Sequence, residues 1–484
     1  MDITSINVKC TISVKKYCFF QFYSRNHHLL LCLPLSRFPT PRYSITQPRR
    51  LRRKSPFMFG PLIDAVMTKS TFRAFRHRNF AIVEGAGWLA GAGVWFYRIG
   101  LAVFAWELTK SGFWLGVIAI AEAGPGILIS PIAGALADRH NRLVMARIVQ
   151  AAMMFVTALL AIMTFAGLVD IWTLTAFAFL HGICAGFWTP VRMSLAPNLV
   201  PREDLSAAIA THSILFNLGR TLGPALVAPI LVLWGVGAVF AINAAFNLIF
   251  SLALFGVKMI NPDRKAEAGR SMRSHLMEGF RYTVVHPVIK YLFLNMIFAS
   301  LLLRAYMELL PGLSETVFGF DPGQGVPILV SAAGVGAILA SLLIGNLKRP
   351  IALLNAYFFS VFGSLLSLSL FVSTSNFWFA VFCTVLLSTA QVGVNISGQV
   401  VVQGSIRGDL RGRVMSLWGL LNRSGPALGA LLIGYLSGFW GFAWPILAGV
   451  GVSAVIALFV FSKRDAMRLA VIKQEKVSTR QAAK

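Results

Sequence analysis

Acidic residues are scarce in this chain: 18 Asp and Glu stand against 44 Lys and Arg over 484 residues, a formal charge of +26. That balance would suit a nucleic-acid binder only if the cations formed one basic face. Charge of either sign is itself rare, at 13% of residues, while 56% are hydrophobic and mean hydropathy is +0.70. No water-soluble core hides that much apolar surface, which excludes an ordinary soluble enzyme. The five cysteines give no disulfide framework: Cys184 and Cys383 fall inside apolar runs and the other three near the N-terminus. No metal-ligand spacing occurs. A His-Glu-x-x-His pair, a Gly-x-Ser-x-Gly elbow and a phosphate-binding glycine loop are also missing, which argues against a membrane hydrolase and against coupling to bound ATP. No cofactor or metal is expected.

What is present is a series of apolar runs of roughly 20 residues, each long enough to cross a bilayer. They fall near 81–106, 113–136, 144–167, 172–194, 206–234, 237–258, 288–310, 325–347, 351–372, 377–402, 414–438 and 441–462. The expected fold is an all-α polytopic membrane protein of about twelve transmembrane helices in two pseudo-symmetric six-helix halves. Trp234-Gly235-Val236-Gly237 is the sole interruption between the fifth and sixth runs. Cations concentrate in alternate loops, and the opposite loops hold only Lys110. This asymmetry predicts both termini on the cytoplasmic side, and it accounts for the net charge without nucleic acid.

The organisation expected is a basic leader over 1–57, disordered or upstream of the true start; an N-terminal half over 70–260; a cytoplasmic linker over 261–287 that could include an interfacial helix; a C-terminal half over 288–462; and a basic cytoplasmic tail over 463–484. The halves echo each other. Asp204-Leu205 recurs as Asp409-Leu410, Arg220, Gly223 and Pro224 as Arg423, Gly425 and Pro426, and Arg98 as Arg304. A parallel repeat of this kind permits one half to rock against the other around a central site.

Between the second and third runs stands Gly134-Ala135-Leu136-Ala137-Asp138-Arg139-His140-Asn141-Arg142. A basic reversal of this kind needs small residues for close approach and cations held on one side of the membrane, and the Asp138 carboxylate, at a helix end, could act on a neighbouring helix N-terminus. The string resembles the Gly-x-x-x-Asp-Arg-x-x-Arg signature of the major facilitator superfamily. In that family the loop latches the two halves, a role the resemblance implies for Gly134, Asp138, Arg139 and Arg142. Gly219-Arg220-Thr221-Leu222-Gly223-Pro224 is similar to a Gly-x-x-x-Gly-Pro motif of exporters in the superfamily, although Val227 and Ala228 depart from its glycine-rich continuation. Glycines four apart allow close packing, and Pro224 removes a backbone hydrogen bond. Phe72-Arg73-Ala74-Phe75-Arg76-His77-Arg78-Asn79-Phe80, Ala105-Trp106-Glu107-Leu108-Thr109, Pro197 to Leu205 and Glu308-Leu309-Leu310-Pro311 together resemble the branch containing the enterobactin exporter and macrolide-efflux-like proteins.

Ionisable residues inside the runs are costly unless they pair or face a wet cavity. Glu84, Arg98, Glu122, Arg220, Arg304 and Arg423 qualify, with Glu308 nearer an end and His181 and His212 as further candidates. Arg98 and Glu122 both lie roughly 12–14 Å below one boundary and are depth-matched. Glu84 is about 21 Å from Arg98 along one helix and cannot pair with it. Arg304 and Glu308, four apart, can pair. One reading makes these ion pairs that hold helices together. The other makes Glu122 a proton carrier and has Arg98 and Arg304 hold an anionic or strongly polar substrate group. Polar residues Asn217, Asn243, Asn247, Asn295, Gln391, Asn395, Gln399 and Gln403 either line a cavity or bond between helices. The resemblance and these residues together imply proton-coupled efflux of a small organic molecule (siderophore, drug or secondary metabolite) by a monomer in a bacterial inner membrane. An importer, or a membrane sensor that transports nothing, is the alternative.

Overall fold

The computed structural model describes residues 9–14, 17–24, 27–34, 71–195, 198–258, 272–347, 349–406 and 410–472. Residues 9–34 and the remainder belong to separate units. In the first, within the stretch expected as a disordered leader, β1 (Lys9–Val14), β2 (Tyr17–Ser24) and β3 (His27–Pro34) pair antiparallel in sequence order. The β-branched residues of β1 and the aromatic residues of β2 favour strands. The other residues of 1–57 lie outside the described residues, as do 259–271 of the linker and 473–484 of the tail.

The second unit is helical throughout its regular elements. Its first half holds α1 (Arg78–Thr109), α2 (Gly112–Arg139), α3 (Arg142–Phe165) and α4 (Ile171–Leu195), followed by one run, Leu205–Phe255. A straight helix of that length would extend about 75 Å, far beyond a bilayer. It divides at Gly235, whose φ of 73° is a conformation that favours glycine, into α5 (205–234) and α6 (236–255). A linking helix, Met272–Val285, leads to the second half: α7 (Ile289–Thr316), α8 (Pro322–Gly345), α9 (Pro350–Ser373), α10 (Phe377–Ser405), α11 (Arg411–Trp440) and α12 (Ala443–Ser462). Ten described helices are long and apolar enough to span a membrane. Counting α5 and α6 separately and adding the more polar α11 gives the expected twelve.

Local chemistry explains the helix ends. Asn141 caps α3 by accepting from Leu143 and Val144 N–H at 3.0 and 3.2 Å. Asp321 caps α8, where Pro322 occupies a position that needs no N–H donor, and Asn376 caps α10. α7 is irregular: a π-turn over Ala299–Leu303 passes into a 3-10 turn over Ala305–Leu309.

The halves interlock toward the end carrying Lys110 and Gly441, opposite the end carrying residues 71–77 and the linking helix. α2 and α11 meet so closely there that a Cβ on Gly112 would strike the Ser437 hydroxyl, and one on Gly434 the carbonyl of Gly112. Trp106, at the end of α1, packs on Phe442 with ring centroids 5.8 Å apart. Its indole N–H donates to Glu315 of α7 at 2.6 Å, and Lys110 reaches the same carboxylate at 2.5 Å. Large apolar side chains cover the outside of the bundle, a belt that would be anomalous in water.

Candidate functional site

A cavity of about 200 Å³ lies between the halves, lined by Trp95, Arg98, Arg220, Arg304, Glu308 and Gln391 among others. Arg98 is 11 residues from the end of α1 and Glu122 10 residues from the start of α2. Both therefore sit roughly 15 Å in, near mid-depth. Arg98 Nε lies 3.4 Å from Glu122 Oε2, so the expected depth-matched pair forms. The guanidinium also bonds across the seam, Nη2 donating to Glu308 Oε1 at 2.8 Å. One cation thus joins a carboxylate of its own half to one of the other.

The expected pairing of Arg304 with Glu308 does not form. An i, i+4 pair requires α-helical geometry, and the 3-10 turn over Ala305–Leu309 carries Glu308 about a third of a turn away. Arg304 instead donates to Asn422 Oδ1 of α11 at 2.6 Å. Gln391 donates to the Leu303 carbonyl at 3.0 Å, satisfying an acceptor where α7 changes pitch. The irregular segment is held by close contact: a Cβ on Gly425 would meet Ser300, and one on Gly429 the Leu301 carbonyl. Gly219 and Gly223 similarly set α5 against Trp88, Ala92 and Trp95 of α1. α5 remains helical through Pro224 and Pro229. Arg220 faces the cavity without an ion pair or hydrogen bond among the described residues. Its repeat mate Arg423 is exposed and does not line the cavity.

The other buried polar groups sort cleanly. Gln391 and Asn395 line the cavity, and Asn395 accepts from Trp418 at 3.2 Å. Asn243, Asn247 and Asn295 bond between or along helices: Gln150 donates to Asn247, Asn247 to Asn243, and Asn295 to the Tyr357 hydroxyl. Gln399 and Gln403 are half-buried and outside the lining; the side chain of Asn217 lies outside the described residues. Glu84, too far from Arg98, pairs with His212 at 3.0 Å. His181 is buried and stacks on Tyr97, centroids 3.9 Å apart.

The basic island is a tight reversal between α2 and α3. α2 continues to Arg139, so the reversal is only His140 and Asn141. Asn141 caps α3, because an Asx side chain immediately before a helix meets its first free N–H groups. Arg142 Nε donates back to the Ala137 carbonyl at 3.3 Å, capping α2. Among the described residues no atom lies within 4 Å of where a Cβ on Gly134 would stand. The side chains of Asp138 and Arg139 lie outside the described residues. Sequence reading missed the Lys110, Trp106 and Glu315 clasp; its one signal was that Lys110 is the lone cation of its set of loops.

Two six-helix halves around a charged central cavity define a membrane transporter of the major facilitator type, and such proteins are not enzymes. The chain belongs to the transmembrane secretion effector family, whose pattern matches residues 69–482. It is 25% identical to the staphyloferrin A transporter of Staphylococcus aureus over 377 residues, 77% of this chain and 93% of that protein. It is 24% identical to macrolide efflux protein A of Streptococcus pyogenes, covering 69% and 83%. The enterobactin exporter EntS of Escherichia coli is also 24% identical, with 77% and 87% covered. Among solved structures, the nucleoside transporter NupG superposes with TM-score 0.65 at 15% identity, over 79% of this chain and 98% of that one. A bacterial homologue of ferroportin in an inward-facing state gives 0.63, also at 15% identity and over the same shares.

Proposed function

We propose that this protein exports a small anionic organic molecule, of siderophore or secondary-metabolite type, from a bacterial cytoplasm by alternating access coupled to protons. The single observation that carries the reading is the Arg98 bridge to Glu122 and Glu308 across the seam of the cavity. The secretion-effector family, macrolide efflux protein A and the enterobactin exporter EntS support the efflux direction. Positive-inside asymmetry puts the basic end in the cytoplasm, so the interlocked end is the outer one and the conformation is inward-facing.

In this reading Arg220 and Arg304 receive the substrate anion. Three arginines and two glutamates line or adjoin the cavity, leaving one positive charge in excess. At this depth an anionic ligand offsets that excess. Opening the outer end breaks the Arg98–Glu308 pair. The substrate anion takes Glu308's place on Arg98 in the outward leg, and a proton on Glu308 or Glu122 neutralises the carboxylate on the return. Re-forming the pair then releases that proton inward.

The test is accumulation of a labelled siderophore in inverted vesicles energised acid-inside. Accumulation should collapse when the pH gradient is dissipated. Arg220→Ala should raise KM by about tenfold, the effect of losing one charge-assisted hydrogen bond, while Arg423→Ala leaves it unchanged. Accumulation indifferent to the gradient would remove the coupling, and equal effects of the two variants would remove Arg220 from the site.

A further inference from the structure

Away from the central cavity, α9, the end of α12 and the helical segment that follows it over 464–472 enclose a surface groove of about 340 Å³ lined by Phe358, Phe359, Phe362, Phe461, Arg464 and Arg468. Its wall is aromatic. Phe461 meets Phe358 and Phe362 edge to face at 5.3 and 5.5 Å, while Phe359 is 82% exposed. Along α9, positions 354 to 362 run about 12 Å inward from the helix end near Pro350. The cations occupy only the rim. Arg464 stacks on Phe461 at 4.3 Å and stands four residues, one helical turn, before Arg468. The one acid paired with them among the described residues, Asp465, has a side chain 75% exposed and lies 3.7 Å from Arg464 and 4.0 Å from Arg468. It neutralises at most one of the pair.

We propose that this groove binds an anionic phospholipid, its phosphate on Arg464 and Arg468 at the membrane boundary and an acyl chain along the phenylalanines. The order of chemistry with depth carries the inference: paired cations at the basic end of the bundle, then an aromatic trough descending about 12 Å into the apolar layer. A free phosphate has no use for the trough. A zwitterionic lipid has no use for two arginines. The proposal does not depend on what the central cavity transports.

The test uses the full chain purified in mixed micelles of phosphatidylglycerol and phosphatidylcholine, with retained lipid counted by native mass spectrometry. The wild-type protein should retain phosphatidylglycerol preferentially. Arg464→Gln or Arg468→Gln should each reduce that preference about fivefold, and the double change about thirtyfold. Arg464→Lys with Arg468→Lys should preserve it, and Phe359→Ser should lower retention of both lipids. Equal retention of the two lipids by the wild-type chain would overturn the proposal without any variant. So would an unaltered preference in the double glutamine variant, or displacement of the lipid by inorganic phosphate at millimolar concentration.

Discussion

The helices that open the two halves carry an arginine at matching positions, and the two arginines do different things. α1 is one uninterrupted helix of 32 residues, and Arg98 on it holds two carboxylates, one from each half. α7 changes pitch twice between Ala299 and Leu309, and Arg304 at the junction bonds a neutral amide, Asn422. The irregularity turns Glu308 away from its own helix's arginine toward Arg98. A repeat therefore conserves the position of a charge while the pitch of the backbone decides its partner. The same divergence separates Arg220, which faces the cavity, from Arg423, which is exposed.

The largest expected effect is on the Arg98 bridge itself. Arg98→Ala leaves Glu122 and Glu308 without their cation and should cost about 2 kcal/mol of stability, below the range for fully buried pairs because the arginine side chain is 38% exposed. Thermal unfolding of the purified protein measures this. Adding Glu122→Gln and Glu308→Gln should restore the melting temperature but not gradient-driven transport. Recovery of both would reduce the bridge to a structural element and remove the difference between α1 and α7.

A smaller effect separates the two carboxylates. Only Glu308 links the halves, so Glu308→Gln should favour opening of the interlocked end by about 1 kcal/mol, roughly a fivefold gain in population, while Glu122→Gln should not. A cysteine at Ser437, which abuts Gly112, reports this by its labelling rate from outside. Equal acceleration in the two variants would mean that the bridge acts as one unit with no role for the seam.

The smallest effect lies at the N-terminal edge of the first half. Arg73 and His77 meet Asp204 at 2.9 and 2.7 Å and tie residues 71–77 to the start of α5. The hydrogen bond with His77, followed by the nearby cations, holds the Asp204 carboxyl below its ordinary range. Because the folded value is depressed, the stabilisation is complete above the unfolded value near 4 and is lost as pH falls through the folded one. Protection of the amides of residues 71–77 from hydrogen exchange, taken relative to the intrinsic rate at each pH, should therefore be unchanged from pH 8 to 5 and fall only below about pH 4. Asp204→Asn should show the lowered protection at neutral pH. Its repeat mate Asp409 lies outside the described residues, so the matching measurement at Asp409 asks whether the second half has the same tie.

The sequence by itself determined the spans, the repeat and the depth of the charges. Span ends matched to within several residues, because hydrophobic length and charged boundaries are local properties, and Trp234-Gly235-Val236-Gly237 stood as the only candidate break in a run too long to be one helix, within which the backbone breaks at Gly235. Arg98 and Glu122 were legible as a pair because helical rise converts sequence position into depth. Depth, however, says nothing about direction around the helix or about which half a neighbour belongs to. The Arg98–Glu308 bond, the Arg304–Asn422 bond and the Lys110–Glu315 clasp each join residues more than 100 positions apart, and two of them depend on a change of helical pitch that no apolar periodicity encodes. Only tertiary packing decides such partners: at the irregular segment of α7, α11 approaches so closely that a Cβ on Gly425 would strike Ser300 and one on Gly429 the Leu301 carbonyl, a contact that brings together residues more than 100 positions apart.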